Sequence, residues 1–277
     1  MHLGAEQAGK EFGAQILWQG PLLESDRDGQ ITVVQNFVTK RVDGICLAPL
    51  DSQALVPAVQ EAKQTGVPVV IFDSGLDDTE SIVSYVATDN RHGGQLAAEE
   101  MARQLGGKGN VILLRYNPGS ESTYQREEGF LEKLRDYPDI KVISSDQYAG
   151  TTEPQAVEKA QQLLTKYRSE VNGVFAVCEP NAHGVLEALK GLDLAKKVVF
   201  IGFDPSERMV QALRDGEMKG IVLQDPVQMG YLAVKTMIHH LRGQAVDKVV
   251  GTGESIATPE NLQEPTIDKL LHPPQFQ

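Results

Sequence analysis

Apolar residues along this chain recur in two alternating rhythms. Short, often β-branched runs at Ile16–Trp18, Gly44–Leu47, Val67–Phe72, Ile82–Val86, Val111–Leu114, Lys141–Ile143, Val174–Val177, Val198–Phe203 and Ile221–Leu223 read as strands. Between many of them the apolar positions are spaced at helical intervals. Ile31, Val34, Phe37 and Val38 form one such set, and Leu55, Val59 and Ala62 another. Gly66-Val67-Pro68 resets one helix into a strand, because glycine ends helices readily and proline cannot continue them. Strand–helix units repeated at this length predict an α/β fold whose parallel sheets are wrapped by helices on both faces.

The pattern divides into two series. After Val83–Val86, the sequence Ala87-Thr88-Asp89-Asn90 opens a long helix running through Leu105, and a second set of strand–helix units follows. Gly106-Gly107-Lys108-Gly109 reads as a turn, and no Ser/Pro-rich connector separates the halves. Two doubly wound lobes held close together, as a hinged pair, fit this organisation. The front is unusual. His2–Phe12 reads as an amphipathic helix with Leu3, Ala5, Ala8 and Phe12 on one stripe, and Gly13 ends it before the run at Ile16. A doubly wound domain should place a strand before its first helix, and none precedes this one.

Composition narrows the function classes. At 277 residues the chain exceeds a single core of roughly 100–200 residues, in keeping with two domains. No segment is apolar enough for long enough to span a bilayer. The 26 basic and 38 acidic residues leave a net charge of −12, with no basic stripe to offset it, which makes nucleic acid a poor partner. Cys46 and Cys178 lie in or beside separate strands and lack CxxC spacing, so they read as small buried hydrophobes, with a pocket thiol at Cys178 left open. The six histidines form no close ligand set, and no metal or other cofactor is expected. No G-x-G-x-x-G follows a strand, and neither G-x-x-x-x-G-K-S/T nor G-x-S-x-G occurs, so an enzyme is not expected.

Two strand ends carry candidate chemistry. Phe200-Ile201-Gly202-Phe203 ends in Asp204, and Ile221-Val222-Leu223 ends in Gln224-Asp225-Pro226. Polar groups just beyond a sheet's carboxyl edge sit where open α/β sheets bind small molecules. Carboxylates and a carboxamide suit a hydroxylated ligand, although the same residue types also serve as turn and cap residues.

Several further segments, in order, carry a resemblance. Leu47-Ala48-Pro49-Leu50-Asp51-Ser52 is similar to an NPxDS turn, and Val67-Pro68-Val69-Val70-Ile71-Phe72-Asp73-Ser74 to a GVPVVxxD strand. Thr88-Asp89-Asn90-Arg91-His92-Gly93-Gly94 is similar to SDNxxGG, and Gln125-Arg126-Glu127-Glu128-Gly129-Phe130 to xRxxGF. Together with Gly202-Phe203-Asp204 and Gln224-Asp225-Pro226, these motifs make the chain resemble the ribose-binding-like solute-binding proteins of sugar ABC transporters, the type I periplasmic binding proteins, over essentially its whole length. The resemblance implies a clamp that closes on a sugar or polyol and delivers it to a membrane permease, acting as a periplasmic monomer.

It also implies a first lobe of residues 1–88 plus 225–253 and a second lobe of 89–224 plus 254–277. Hinge crossings are expected near Ala87–Asp89, Gln224–Pro226 and Thr252–Ser255. Asp73, Ser74, Arg126, Cys178, Asp204 and Gln224 would contact the ligand, with Arg126 able to bridge two ring oxygens while pairing with a carboxylate. Cys178 and Ala48 depart from the family, which often places a stronger hydrogen-bonding side chain at each position. Pentose, hexose, ketose and polyol ligands all stay open. Measured against the family, the signal peptide and the first strand, with its sugar-contacting loop, are expected to be missing from this chain. That would leave a gap between the runs at Ile16 and Ile45. The effector-binding core of a sugar-responsive transcription regulator is the alternative implied by the same fold.

Overall fold

The computed structural model describes residues 1–274, and positions 275–277, expected in the second lobe, lie outside the described residues. The first stretch contains α1 (His2–Phe12), α2 (Arg27–Lys40), β1 (Ile45–Leu47), α3 (Val56–Gln64), β2 (Val69–Phe72) and β3 (Ser84–Ala87). The middle contains α4 (Asn90–Leu105), β4 (Gly109–Arg115), α5 (Glu121–Leu134), β5 (Ile140–Tyr148), α6 (Glu153–Lys166), β6 (Gly173–Ala176), α7 (Glu179–Gly191), β7 (Val199–Phe203), α8 (Glu207–Arg214) and β8 (Gly220–Gln224). The last part contains α9 (Pro226–Leu241), β9 (Val249–Gly251), β10 (Glu254–Ala257) and α10 (Pro265–Leu271).

These strands form two sheets. One is wholly parallel, in the order β1-β2-β3-β9. The other runs β10-β8-β7-β6-β4-β5 and is parallel except where β10 pairs antiparallel with β8. The chain crosses between the sheets three times, from β3 to α4, from β8 to α9 and from β9 to β10. Helix α9 returns to pack on α1 and the first sheet, whereas α10 packs on β8 and β10.

Strand alternation explains the layering. In β4, Ile112 and Leu114 face one core while Val111 and Leu113 face another; in β7, Phe200 faces the first and Ile201 and Phe203 the second. Both faces of the second sheet are therefore covered, as continuous apolar runs require. The first sheet is likewise covered, by α2 and α3 on one side and α9 on the other. Local punctuation follows the sequence. Gly13 ends α1 in the left-handed region at φ 75°, and Asp89 caps α4 by accepting a bond from the His92 amide.

Two expectations need correction. Ile16–Trp18 joins no ladder among the described residues, which leaves β1 at the edge of its sheet. A cavity of about 700 Å³ lies there, lined by Ile16, Leu17 and Trp18 on one side and Ile45 and Cys46 on the other. Among the described residues, no backbone hydrogen bond joins the two segments. Conversely, β9 and β10 lacked a strand signal because they are short and largely exposed or half-buried, with little apolar alternation.

Helices α4 and α5 approach more closely than side chains would allow. A Cβ placed at Gly94 would collide with the Arg126 carbonyl, and one at Gly129 with the Arg91 carbonyl. This contact fixes α5 and hence the start of the Arg126 side chain. Gly129→Ala should therefore lower folding stability by about 1–3 kcal/mol through overpacking. Urea titration checks this, and an unchanged midpoint would mean the helices have room to spare.

Candidate functional site

The carboxyl ends of the strands from both sheets open onto one cleft of about 680 Å³. Asp73 follows β2, Cys178 lies two residues beyond β6, Asp204 follows β7, and Gln224 ends β8. All four line the cleft, together with Ser74 and with Arg126 from α5. Every residue expected in the site is thus gathered at one place, in the crevice where open α/β sheets hold ligands.

Asp73 and Asp204 share an uncommon backbone. Both have φ of 65°, in the left-handed region that few non-glycine residues enter. The Asp73 amide donates to the Val86 carbonyl of the next strand at 3.0 Å, and the Asp204 amide donates to Val222 at 2.9 Å. Each carboxylate is therefore carried on the same kind of turn at the end of a buried strand. Aspartate tolerates this conformation better than most residues.

Arg126 is the hub of the second lobe's side. Only 3% exposed, it donates from Nε to Asn90 Oδ1 at 2.8 Å and from Nη1 to the Val177 carbonyl at 2.9 Å. Its Nη2 lies 3.5 Å from Gln224 Oε1, its Nη1 lies 3.6 Å from Asp204 Oδ2, and its guanidinium stacks 3.7 Å from the centre of the Phe203 ring. Gln224 closes the loop by donating from Nε2 to Asp204 Oδ1 at 2.7 Å. One residue along, Glu127 faces the other way. It accepts from Arg115 and from the Tyr116 amide, tying α5 to the end of β4.

The electrostatics are uneven. Burial pushes Asp73 up to about 6, and Asp204 and Glu24 add to the shift while Arg126 opposes it. Among the described residues, no side chain or amide donates to the Asp73 carboxylate. Asp204 is also raised by burial, held back by Arg126 and by the Gln224 bond. Burial lifts the Cys178 thiol to about 12, so it stays neutral. Ser74 lines the cleft, and its hydroxyl also accepts a bond from the Ser122 amide of α5 at 3.1 Å.

Three contributors were not picked out from the sequence. Asn90 looked like a helix start, yet its side chain orients Arg126. Tyr116 and Glu24 line the cleft from positions without strand or helix periodicity. Trp18 also lines it, stacked on His2 with ring centres 4.4 Å apart.

This architecture matches a known family, that of periplasmic binding protein domains, over residues 1–245. The chain belongs to that family. Its members bind ligands rather than transform them. Among relatives, the xylitol-binding protein of Mycolicibacterium smegmatis is 27% identical over 266 residues, covering 96% of this chain and 72% of the relative. The ribose import binding protein of Haemophilus influenzae is 28% identical, covering 88% of this chain and 81% of its own length. A carbohydrate transporter solute-binding protein from Agrobacterium radiobacter, solved with D-arabinose, superposes with a TM-score of 0.92 at 33% identity. That superposition covers 97% of this chain and 92% of the other. A solute-binding protein from Agrobacterium vitis, solved with D-fucose, gives 0.91 at 31% identity, covering 97% and 94%. The type I periplasmic binding fold follows from this superposition and from the two parallel sheets.

The Arg126–Asp204 pair also bears on stability, because removing one partner leaves the other charge desolvated. Arg126→Met should cost about 3 kcal/mol of folding free energy. Adding Asp204→Asn should restore part of that loss. Urea unfolding of both single variants and the double variant measures the coupling, and strictly additive losses would show that the two groups do not interact.

Proposed function

We propose that this protein captures a sugar or polyol between its two lobes and hands it to an ABC permease on the outer side of the cytoplasmic membrane. It would do so as a periplasmic, monomeric solute-binding protein without a cofactor. The observation that carries this reading is the convergence of Asp73 from one sheet with Arg126, Asp204 and Gln224 from the other on a single cleft. Relatives named for xylitol and ribose import, and structures holding D-arabinose and D-fucose, support a polyhydroxylated ligand. They also favour import over the regulator reading.

In this reading the lobes comprise residues 1–88 plus 225–253 and residues 89–224 plus 254–277, hinged at the three crossings. Asp73 and Asp204 accept hydroxyl protons, while Arg126 and Gln224 supply donors. With Asn90, Val177 and Gln224 already bonded, Arg126 keeps two of its five donors for ring oxygens. Ser74 and Cys178 complete the wall, the thiol contributing shape more than hydrogen bonding. No bond is made or broken. The ligand favours closure by the difference between its affinities for the closed and open forms.

Asp204→Ala should weaken sugar binding by about 1–3 kcal/mol, read by calorimetry with a ligand chosen from a thermal-shift panel of sugars and polyols. Unchanged affinity would remove Asp204 from the site.

Asp73 makes binding sensitive to pH. A hydroxyl donated to its ionised form stabilises that form, so binding at or below about pH 6 releases a proton, and affinity falls as pH drops through about 6. In the ligand-free protein the sign is reversed. Its carboxyl is raised from 3.8, so the proton-linked contribution to stability is full below about pH 4 and is lost as pH rises through about 6. Calorimetry from pH 5 to 8 should show the step in the wild type and a flat profile in Asp73→Asn. The same step in both would assign it to another group.

A further inference from the structure

The lobes also meet at the rim of the cleft, away from the residues expected to hold ligand. The loop between β4 and α5 in the second lobe reaches across to the turn after β1 and to the start of α2. The Gly119 carbonyl accepts a bond from the Ser52 amide at 3.0 Å. The Pro118 carbonyl accepts one from Arg27 Nη2 at 2.6 Å. Arg27 is itself held by Asp51, with Nε 3.0 Å from Oδ2, and Asp51 Oδ1 caps its own turn by accepting from the Gln53 and Ala54 amides. The first lobe's side of this contact is therefore tied together by bonds of its own.

Gly119 shows how closely the surfaces fit. Its φ is +95°, and an added Cβ would run into the Asp51 carboxylate and reach 3.2 Å from Arg27 Nη2. Neither Arg27, Asp51 nor Gly119 lines the cleft. Ser52 is nevertheless only 7% exposed, and its amide is bonded by the opposite lobe's Gly119 carbonyl, so the contact takes the place of water at a buried polar group. Within the cleft, the Ser74–Ser122 bond also joins the two lobes.

We propose that this rim contact is a latch, and that Arg27, Asp51 and Gly119 are positioning residues that set ligand affinity through the closed state without touching the ligand. The proposal rests on the reading of the cleft as a closing sugar site. The apparent affinity of a clamp scales with the fraction of molecules in the binding-competent form, so loss of latch bonds weakens every ligand by a common factor. It also shortens residence, because the lobes must part at the rim before bound ligand can leave.

Arg27→Ala and Gly119→Ala test this independently. Arg27 is 40% exposed in its side chain, and the thermal midpoint of each ligand-free variant, measured alongside, separates a loss of folding from a loosened rim. For two sugars that bind the wild type, each variant should weaken both by the same factor, about fivefold to twentyfold, mainly through faster dissociation. Small-angle scattering of the ligand-free variants should show a larger radius of gyration than the wild type. Unchanged affinity and scattering would overturn the latch. So would a changed ratio between the sugars, since that marks direct ligand contact. If no sugar or polyol in the panel binds the wild type, the reading of the site fails, while scattering still decides whether the rim contact holds the lobes together.

Discussion

A buried guanidinium has to be satisfied by the protein around it, and that requirement organises the second lobe's side of the cleft. Arg126 draws Asn90 from the start of α4, the Val177 carbonyl from beyond β6, Asp204 from beyond β7 and Gln224 from the end of β8 to one point. Its planar fork sits flat on Phe203, which belongs to the core beneath. A lysine could not meet those partners in fixed directions. The same constraint accounts for the close helix contact at Gly94 and Gly129, because α5 must lie deep against α4 to bring Arg126 this far in. Glu127, bonded to Arg115, holds the helix from its other side.

The two lobes reach the same local solution separately. In each, a buried strand ends in phenylalanine, and an aspartate follows in a left-handed turn whose amide bonds the neighbouring strand. Backbone in this region costs on the order of 1 kcal/mol. It persists because the flanking ladders hold it, and it turns a carboxylate toward the cleft at each site. The environments then part. Arg126 and Gln224 oppose the upward push of burial on Asp204, while the Asp73 carboxylate has no donor among the described residues and burial pushes it up to about 6. One carboxylate is held by side chains of the protein, and the other is not.

Much of this was legible in the chain itself. Alternating apolar runs reported both sheets, since strands buried on two faces need continuous Val, Ile and Phe. Gly13 and Asp89 marked helix ends by their own backbone chemistry. Asp204 and Gln224 stood out at the ends of strand signals, whereas Asp73 and Arg126 were reached through the motifs that carry the family resemblance. What was missed lacked such a signal. Ile16–Trp18 has strand composition, but pairing depends on a neighbour within reach, which local sequence does not encode. Glu24 and Tyr116 enter the cleft from irregular segments, and the bonds of Ser52, Ser74 and Arg27 across the rim join residues far apart in sequence.

The decisive measurement is a crystal structure with a sugar chosen from a thermal-shift panel. A single ligand should sit with its hydroxyls within about 3 Å of both the Asp73 carboxylate and the Arg126–Asp204 pair. A sugar bound to one lobe alone, or lodged outside this cleft, would contradict the account.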